Sequence, residues 1–331
     1  MTTIRVTAVL VAVLTLTACA APGASTRPST APTTAATTAP TTAPTAAPTT
    51  APTAAPTVAA TASPAAGTVC DNLPAEAEGD LLATICERGT LLVATDPAYP
   101  PQSELLPDGT FEGFDIDTAN AIGEKLGVDV QFETPDFSEV VAGGWAGRFD
   151  ISVGSVTITA PREDVLSFTQ PYYYTPAQMA ATEVSGITTL DDLADKTVCV
   201  AEATTYFDWL EGTVELVGSP EPATPPDGVQ STTFSTDTEC ADAVIAGRTE
   251  FEGWLTSSTT LANSIEGGAP FVLVGDPVFF EALAVGIDKA GPAHDVLLAE
   301  LDRIIGEMHE DGTLSASSME WFDGLDLTTT E

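Results

Sequence analysis

Positive charge is scarce in this 331-residue chain: 10 Lys and Arg stand against 48 Asp and Glu, with only two His. Arg5 and Arg27 precede the first acid, Asp71, so residues 71–331 hold eight cations and all 48 acids, a formal charge of −40. Such a surface repels phosphate backbones and anionic headgroups, which excludes nucleic-acid binding and docking through a basic patch. Solubility is reason enough for it. Catalytic signatures are also missing: there is no GxSxG, no P-loop, no HExxH and no GxGxxG. With no CxxC and only His294 and His309, a thiol–metal site is not expected, nor any other metal or cofactor. Asp115-x-Asp117-x-x-Asn120 lacks the glycine and final glutamate of a calcium loop and reads as two acids at a helix start. Beyond the first residues, no run approaches the ~18 unbroken apolar residues of a membrane span.

The N-terminus carries what the rest lacks. Arg5 and the apolar stretch of residues 6–16 form an export leader too short to span a bilayer stably. Leu16-Thr17-Ala18-Cys19 resembles a bacterial lipobox, whose cysteine is lipidated and becomes the new N-terminus; the alternative is a secretory leader with an incidental cysteine. Residues 1–19 are therefore read as a lipoprotein signal. Residues 20–68 are a tether in which Ala, Thr and Pro supply 42 of 49 positions, with Pro40, Pro44, Pro48, Pro52 and Pro56 on a four-residue period. Nothing there can be buried, and in polyproline II at ~3.1 Å per residue it would reach roughly 150 Å. Its threonines leave O-glycosylation open.

Four further cysteines remain, Cys70, Cys86, Cys199 and Cys240. An even number in an exported chain implies two disulfides with three possible connectivities. We favour Cys70–Cys86, at the start of the folded part, and Cys199–Cys240, within its second half.

From about residue 86, strands alternate with helices. Thr90–Thr95 reads as a buried strand and Val128–Phe132 as the next. Between them a helix opens at Asp115, carries Ile116, Ala119, Ile122 and Leu126 on one face, and closes at Gly127. Phe137–Val141 starts a helix and residues 150–154 end a strand. A second unit follows the same pattern: short helix Leu190–Leu193, strand Thr197–Ala201, helix Thr205–Leu210 and strand Val229–Phe234. A capping box at Thr236-x-x-Glu239 then opens a helix. Phe271–Val274 and Ala282–Ile287 read as two strands, and Ala293–Met308 as a long helix. This is an α/β protein with two units of ~100 residues or more.

One segment concentrates chemistry. Gly154-Ser-Val-Thr-Ile-Thr-Ala-Pro-Arg162 sets one of the rare cations beside closely spaced hydroxyls, ahead of Phe168-Thr-Gln-Pro-Tyr-Tyr-Tyr174. An arginine fork with neighbouring hydroxyls suits a carboxylate, although Arg162 could equally pair with one of the many acids. This segment, with Leu91-Leu-Val-Ala-Thr-Asp96-Pro-Ala-Tyr99-Pro-Pro, Phe111-Glu-Gly-Phe-Asp115-Ile-Asp117, Ala203-Thr204-Thr205, Ala246-Gly247-Arg248 and Asp311-Gly312-Thr313-Leu314…Trp321-Phe322, resembles the family 3 extracytoplasmic solute-binding proteins of polar amino-acid ABC importers. The likeness runs from about Gly89 to Leu325.

The resemblance implies a type II periplasmic-binding-protein-like fold of two lobes joined by two strand crossovers. The first lobe would be 69–181 with 283–331, the second 182–282. It implies a non-enzymatic monomer, lipid-anchored on the outer face of the cytoplasmic membrane, that binds a carboxylate-bearing solute and hands it to an ABC permease. Arg162 would hold the ligand carboxylate with Ser155 and Thr157; Thr204 and Thr205 would assist from the second lobe, helped by a helix start at Thr205. Asp96 and Tyr99 would face the ligand side chain, and Phe137 would pack on it. Two departures stand out. The family usually has glycine at Ala203. The second-lobe acid that pairs with an α-ammonium is replaced by Ser257 or, without gaps, by Leu255. Either Asp96 or Glu202 then takes the ammonium, or the ligand has none. Two other readings stay open: an exported cyclohexadienyl-dehydratase-like enzyme with Glu202 as its acid/base, and a ligand-sensing module for a membrane kinase.

Overall fold

A computed structural model describes residues 67–329. The leader, Cys19 and all of the tether except Gly67 and Thr68 lie outside the described residues.

Local signals build the first half. Asp80 accepts from Leu82 N at 2.9 Å to cap α1 (Leu81–Arg88), and Gly89, at φ 70°, ends that helix. β1 (Thr90–Ala94) follows, then the short β2 (Ala98–Tyr99), β3 (Ser103–Leu105) and β4 (Phe111–Glu112), which form a separate antiparallel sheet. α2 (Phe114–Leu126) buries Ile116, Ala119, Ile122 and Leu126, the face read from the sequence, and stops at Gly127 with φ 86°. β5 (Asp129–Glu133), α3 (Phe137–Val141), β6 (Ile151–Thr157) and α4 (Ala160–Val165) complete this half.

The long β7 (Leu166–Thr182) leads into β8 (Thr197–Ala201), α5 (Thr205–Leu210), β9 (Gln230–Phe234), α6 (Thr238–Ile245), β10 (Gly253–Ser257) and α7 (Ser258–Glu266). β11 (Phe271–Asp288) returns to the first half, where α8 (Asp295–Glu310) and α9 (Thr313–Trp321) end the fold. Asp80 also accepts from Val296 N and Leu297 N at 3.0 and 3.2 Å, so one carboxylate caps both α1 and α8.

The main sheet runs β5-β1-β6-β11-β7-β10-β8-β9. Its halves share one plan: second strand, first strand, third strand, then the two long strands that serve both. β1 pairs in parallel with β5 and β6, and β8 with β9 and β10, whereas β7 and β11 run antiparallel to their neighbours. This is the two-lobed α/β architecture with two crossovers.

Alternate residues of β1 bury to opposite faces. Leu91 and Val93 join the core with α1, α2 and α8, while Ala94 and Leu92 pack with Trp145 and Phe149. A strand covered on both faces reads as an unbroken apolar run, which is why it was legible. The second half repeats this: Val198 and Val200 face one core, Cys199 and Trp254 the other. Both disulfides, Cys70–Cys86 and Cys199–Cys240, are present, with Cα separations of 5.3 and 5.9 Å.

Three expectations differ from the structure. Phe271–Val274 and Ala282–Ile287 are parts of one strand: pairing with β7 carries the ladder across Gly275-Asp276-Pro277, with a register shift between Val274 and Phe279. α6 starts at Thr238 with Asp237 rather than Thr236 at its N-cap position and no side-chain cap bond from it, although Glu239 accepts from Thr236 N at 3.0 Å. The change of core along β7 falls between Tyr173 and Ala177, before the 181/182 boundary, because Ala177, Met179 and Ala181 already pack in the second lobe.

Candidate functional site

The strand ends of both halves meet at a cleft. Asp96 and Tyr99 reach it from the chain leaving β1, Phe137 from the start of α3, Ser155 and Thr157 from β6, and Arg162 from α4. Thr204 and Thr205 line it from the start of α5. Eight of the nine expected ligand residues are thus brought together. A second space shares Asp96, Phe137, Gly154 and Ser235 with it and continues past Asp136.

Arg162 is the cation of this lining and is 6% exposed. Its Nη1 donates to Thr157 O and its Nη2 to Ala203 O, both at 3.0 Å, and its guanidinium carbon lies 5.4 Å from the centre of the Phe137 ring. Among the described residues no carboxylate comes within ion-pair distance of it. Carbonyls of both lobes therefore orient the fork and use two of its five donors. Burial lowers its pKa, with Glu281 and Asp208 acting in the opposite sense. Ala203, the position where the family usually has glycine, adopts φ 60°, a left-handed conformation that glycine adopts without strain.

Not every hydroxyl is turned to the cleft. Ser155, at φ 55°, donates from Oγ to Asp115 Oδ2 at 2.7 Å and lies 2.6 Å from Tyr173 OH. Its side chain is thus committed to a buried network with Asp115, Tyr172 and Tyr173. Thr204 caps α5, accepting from Phe207 N at 3.3 Å and donating to Ala201 O at 2.7 Å. Thr157 donates to Glu281 Oε1 at 2.6 Å, and Thr205 donates to the same oxygen.

Ser257 is the exception. It lies outside the cleft lining and caps α7, accepting from Thr260 N at 3.2 Å. Gln102 of the first lobe donates to it at 3.1 Å, so it joins the lobes rather than facing a ligand. Glu202, named as an alternative ammonium partner and acid/base, is exposed and also outside the lining.

Two acids in the lining escaped the sequence reading. Glu281, on β11 and 1% exposed, accepts from Thr157, Thr205 and Tyr206, the last at 2.8 Å. Burial raises its pKa against those three donors and Arg162. A lone acid in the apolar run Phe279-Phe280-Glu281-Ala-Leu-Ala-Val was its signal. Asp237, at the N-cap of α6 and 5% exposed, has an Oδ1 without any hydrogen-bond partner. Its pKa is pushed up to about 8, first by burial, then by the charges of Asp96 and Glu281, with Thr256 opposing. Among 48 acids it carried no sequence signal.

The lobes touch directly around the cleft. Tyr99 OH lies 3.0 Å from Tyr206 OH, Thr238 Oγ1 donates to Ala98 O at 3.1 Å, and Ala160 N donates to Glu215 O at 3.0 Å. The fold and site define a two-lobed binding protein in its closed arrangement. The chain belongs to the bacterial extracellular solute-binding proteins, family 3, whose family model matches residues 91–324. It is 28% identical to the L-cystine-binding protein TcyJ of Escherichia coli over 76% of this chain and 89% of that one. It is also 26% identical to the lysine/arginine/ornithine-binding periplasmic protein of Escherichia coli, over 71% and 88% of the two chains. An ancestral arginine-binding protein bound to arginine superposes with a TM-score of 0.61 at 26% identity, covering 71% of this chain and 99% of that one. Solute binding, not catalysis, is the family's activity.

Proposed function

We propose that the protein is a lipid-anchored receptor that encloses an amino acid between its lobes and presents it to an ABC permease. Arg162 carries the reading: a buried guanidinium held by carbonyls of both lobes, over an aromatic face, with donors left for a ligand carboxylate. The relatives named above bind amino acids by their names, which supports the ligand class. The ligand enters an open cleft, the lobes swing together on β7 and β11, and the closed form is what the permease meets. A micromolar ligand corresponds to about −8 kcal/mol, within reach of one charge pair and several hydrogen bonds. Cys19, behind the lipobox and the Ala/Thr/Pro tether, would hold the receptor at the outer face of the cytoplasmic membrane.

Calorimetric titration of an amino-acid series tests the site. Arg162→Ala should weaken binding by about 2–5 kcal/mol with the thermal midpoint retained. Unaltered affinity would remove Arg162 from the site. Replacing Cys19 by alanine should release the protein from the membrane fraction, and retention there would exclude the lipid anchor.

A further inference from the structure

Residues 211–229, which join α5 to β9, form no helix or strand of their own. A connection this long is commonly either functional or a loose linker. This one is not loose. It holds Pro220, Pro222, Pro225 and Pro226, and the second lobe fastens it at several points. Thr213 N donates to Asp208 O at 2.8 Å, Ala223 N donates to Val278 O at 2.7 Å, and Trp209 Nε1 donates to Ala223 O at 2.6 Å. Val214 and Leu216 pack on the second-lobe core that also holds Tyr206 and Trp209. The segment is a strap fixed to the second lobe.

From there it crosses to the first lobe. Leu216 forms an antiparallel bridge with Thr159, in which Ala160 N donates to Glu215 O at 3.0 Å and Val217 N donates to Ile158 O at 3.2 Å. Neither bond uses a side chain. The bridge falls at the start of α4, the helix that carries Arg162, where Thr159 is the N-cap and accepts from Arg162 N at 3.3 Å. At the other end of that arginine, Nη2 donates to Ala203 O of the second lobe at 3.0 Å. The second lobe thus grips α4 twice, at its backbone start and at the guanidinium. None of residues 213–217 lines the cleft. The lobes cannot part without breaking the bridge, yet a solute in the cleft does not touch it.

Resting on the proposed function above, we propose that residues 213–217 are a backbone latch that sets how long the closed receptor keeps its solute, to the same extent whatever that solute is. Both partners are fixed within their own lobes before they meet, so joining them orders few further groups and most of each bond goes to closure. The loss of one net hydrogen bond of this kind corresponds to about fivefold in the closing equilibrium. These bonds form only once the lobes have met, so their loss shows in the rate of release and not in the rate of capture. Residues that line the cleft act differently, because what they contribute changes with the chemistry of the solute.

Ala160→Pro tests the latch with little disturbance elsewhere. Ala160 is the first residue of α4, where proline is favoured, and Thr159 before it is extended at φ −130° and ψ 154°, as a residue ahead of proline prefers. The change removes the N–H that Glu215 O receives. The probes are the standard L-amino acids and L-cystine, followed by stopped-flow fluorescence. Each one that binds the wild type should leave the variant about fivefold faster, by the same factor throughout, with its capture rate unchanged. Val217→Pro, which removes the second donor, should act in the same sense. Thermal midpoints of both variants without solute should match the wild type, confirming that they fold. In the wild type, amide hydrogen exchange at Ala160 and Val217 should slow when the tightest-binding amino acid is added to saturation. Unaltered release from both variants overturns the proposal, as does acceleration confined to one amino acid, or exchange at these two amides that saturation leaves unchanged. Should an amino acid bind, be lost in Arg162→Ala and leave both proline variants at the wild-type rate, only this inference falls. Should no amino acid bind, the proposed function falls with it.

Discussion

Gln102 belongs to the first lobe and is fully buried, yet the second lobe satisfies its side-chain amide. Its Nε2 donates to Ser257 Oγ at 3.1 Å and to Thr259 Oγ1 at 2.7 Å, and its Oε1 accepts a long bond from Thr260 Oγ1 at 3.4 Å. Opening the cleft breaks all three, so they contribute to closure and little to the folding of either lobe. Gln102→Met keeps volume and removes the polar atoms. The hydroxyls left behind still bond one another, Ser257 with Thr259 at 3.1 Å and with Thr260 at 2.9 Å, so none is stranded. Two net hydrogen bonds at about 1 kcal/mol each give about 2 kcal/mol against closure. That corresponds to a roughly 30-fold loss of affinity when the open form dominates without ligand. Titration with the amino acid that the wild type binds most tightly measures the loss, and small-angle scattering at saturation checks that the variant still closes. The thermal midpoint without ligand should hardly move. Affinity within twofold of wild type would refute the view that the Gln102 amide helps hold the lobes together.

Removing the Cys199–Cys240 bridge by a double Cys→Ser substitution reopens a loop whose ends are 41 positions apart in sequence and should destabilise the protein by roughly 3–4 kcal/mol in denaturant unfolding; an unchanged midpoint would show that the bridge constrains nothing. Asp115, buried beneath Ser155, has its pKa raised to about 7 by burial, against hydrogen bonds from Tyr172 and Ser155 and with Asp96 adding to the rise. The folded state then binds this proton more tightly than the unfolded chain, so stability falls as pH climbs from about 4 to about 7, on the order of 4 kcal/mol in all. Asp115→Asn should flatten that decline in a pH series of thermal midpoints, and an equal slope in both proteins would contradict it.

Much of the cleft lining and of the fold around it is local, and therefore legible in the chain. Arg162 announced itself because cations are scarce and hydroxyls crowd before it; β1 and β8 because strands covered on both faces are apolar throughout; α2 because its face and its closing glycine lie within 14 residues. Pairing of the four cysteines followed from their place along the fold. What the chain could not display was direction. Ser155 stands in the expected motif, but its left-handed backbone turns the hydroxyl into the core toward Asp115. Ser257 stands where an acid would meet an ammonium, but capping α7 and receiving Gln102 commit it to the lobe contact. Asp237 was one acid among 48 until the packing of α6 against the cleft left its carboxylate buried and short of a donor. Composition and motif determine which groups are available. Burial and the meeting of two lobes decide which of them remain unsatisfied, because the free energy of a charge depends on the surroundings that the fold assembles around it.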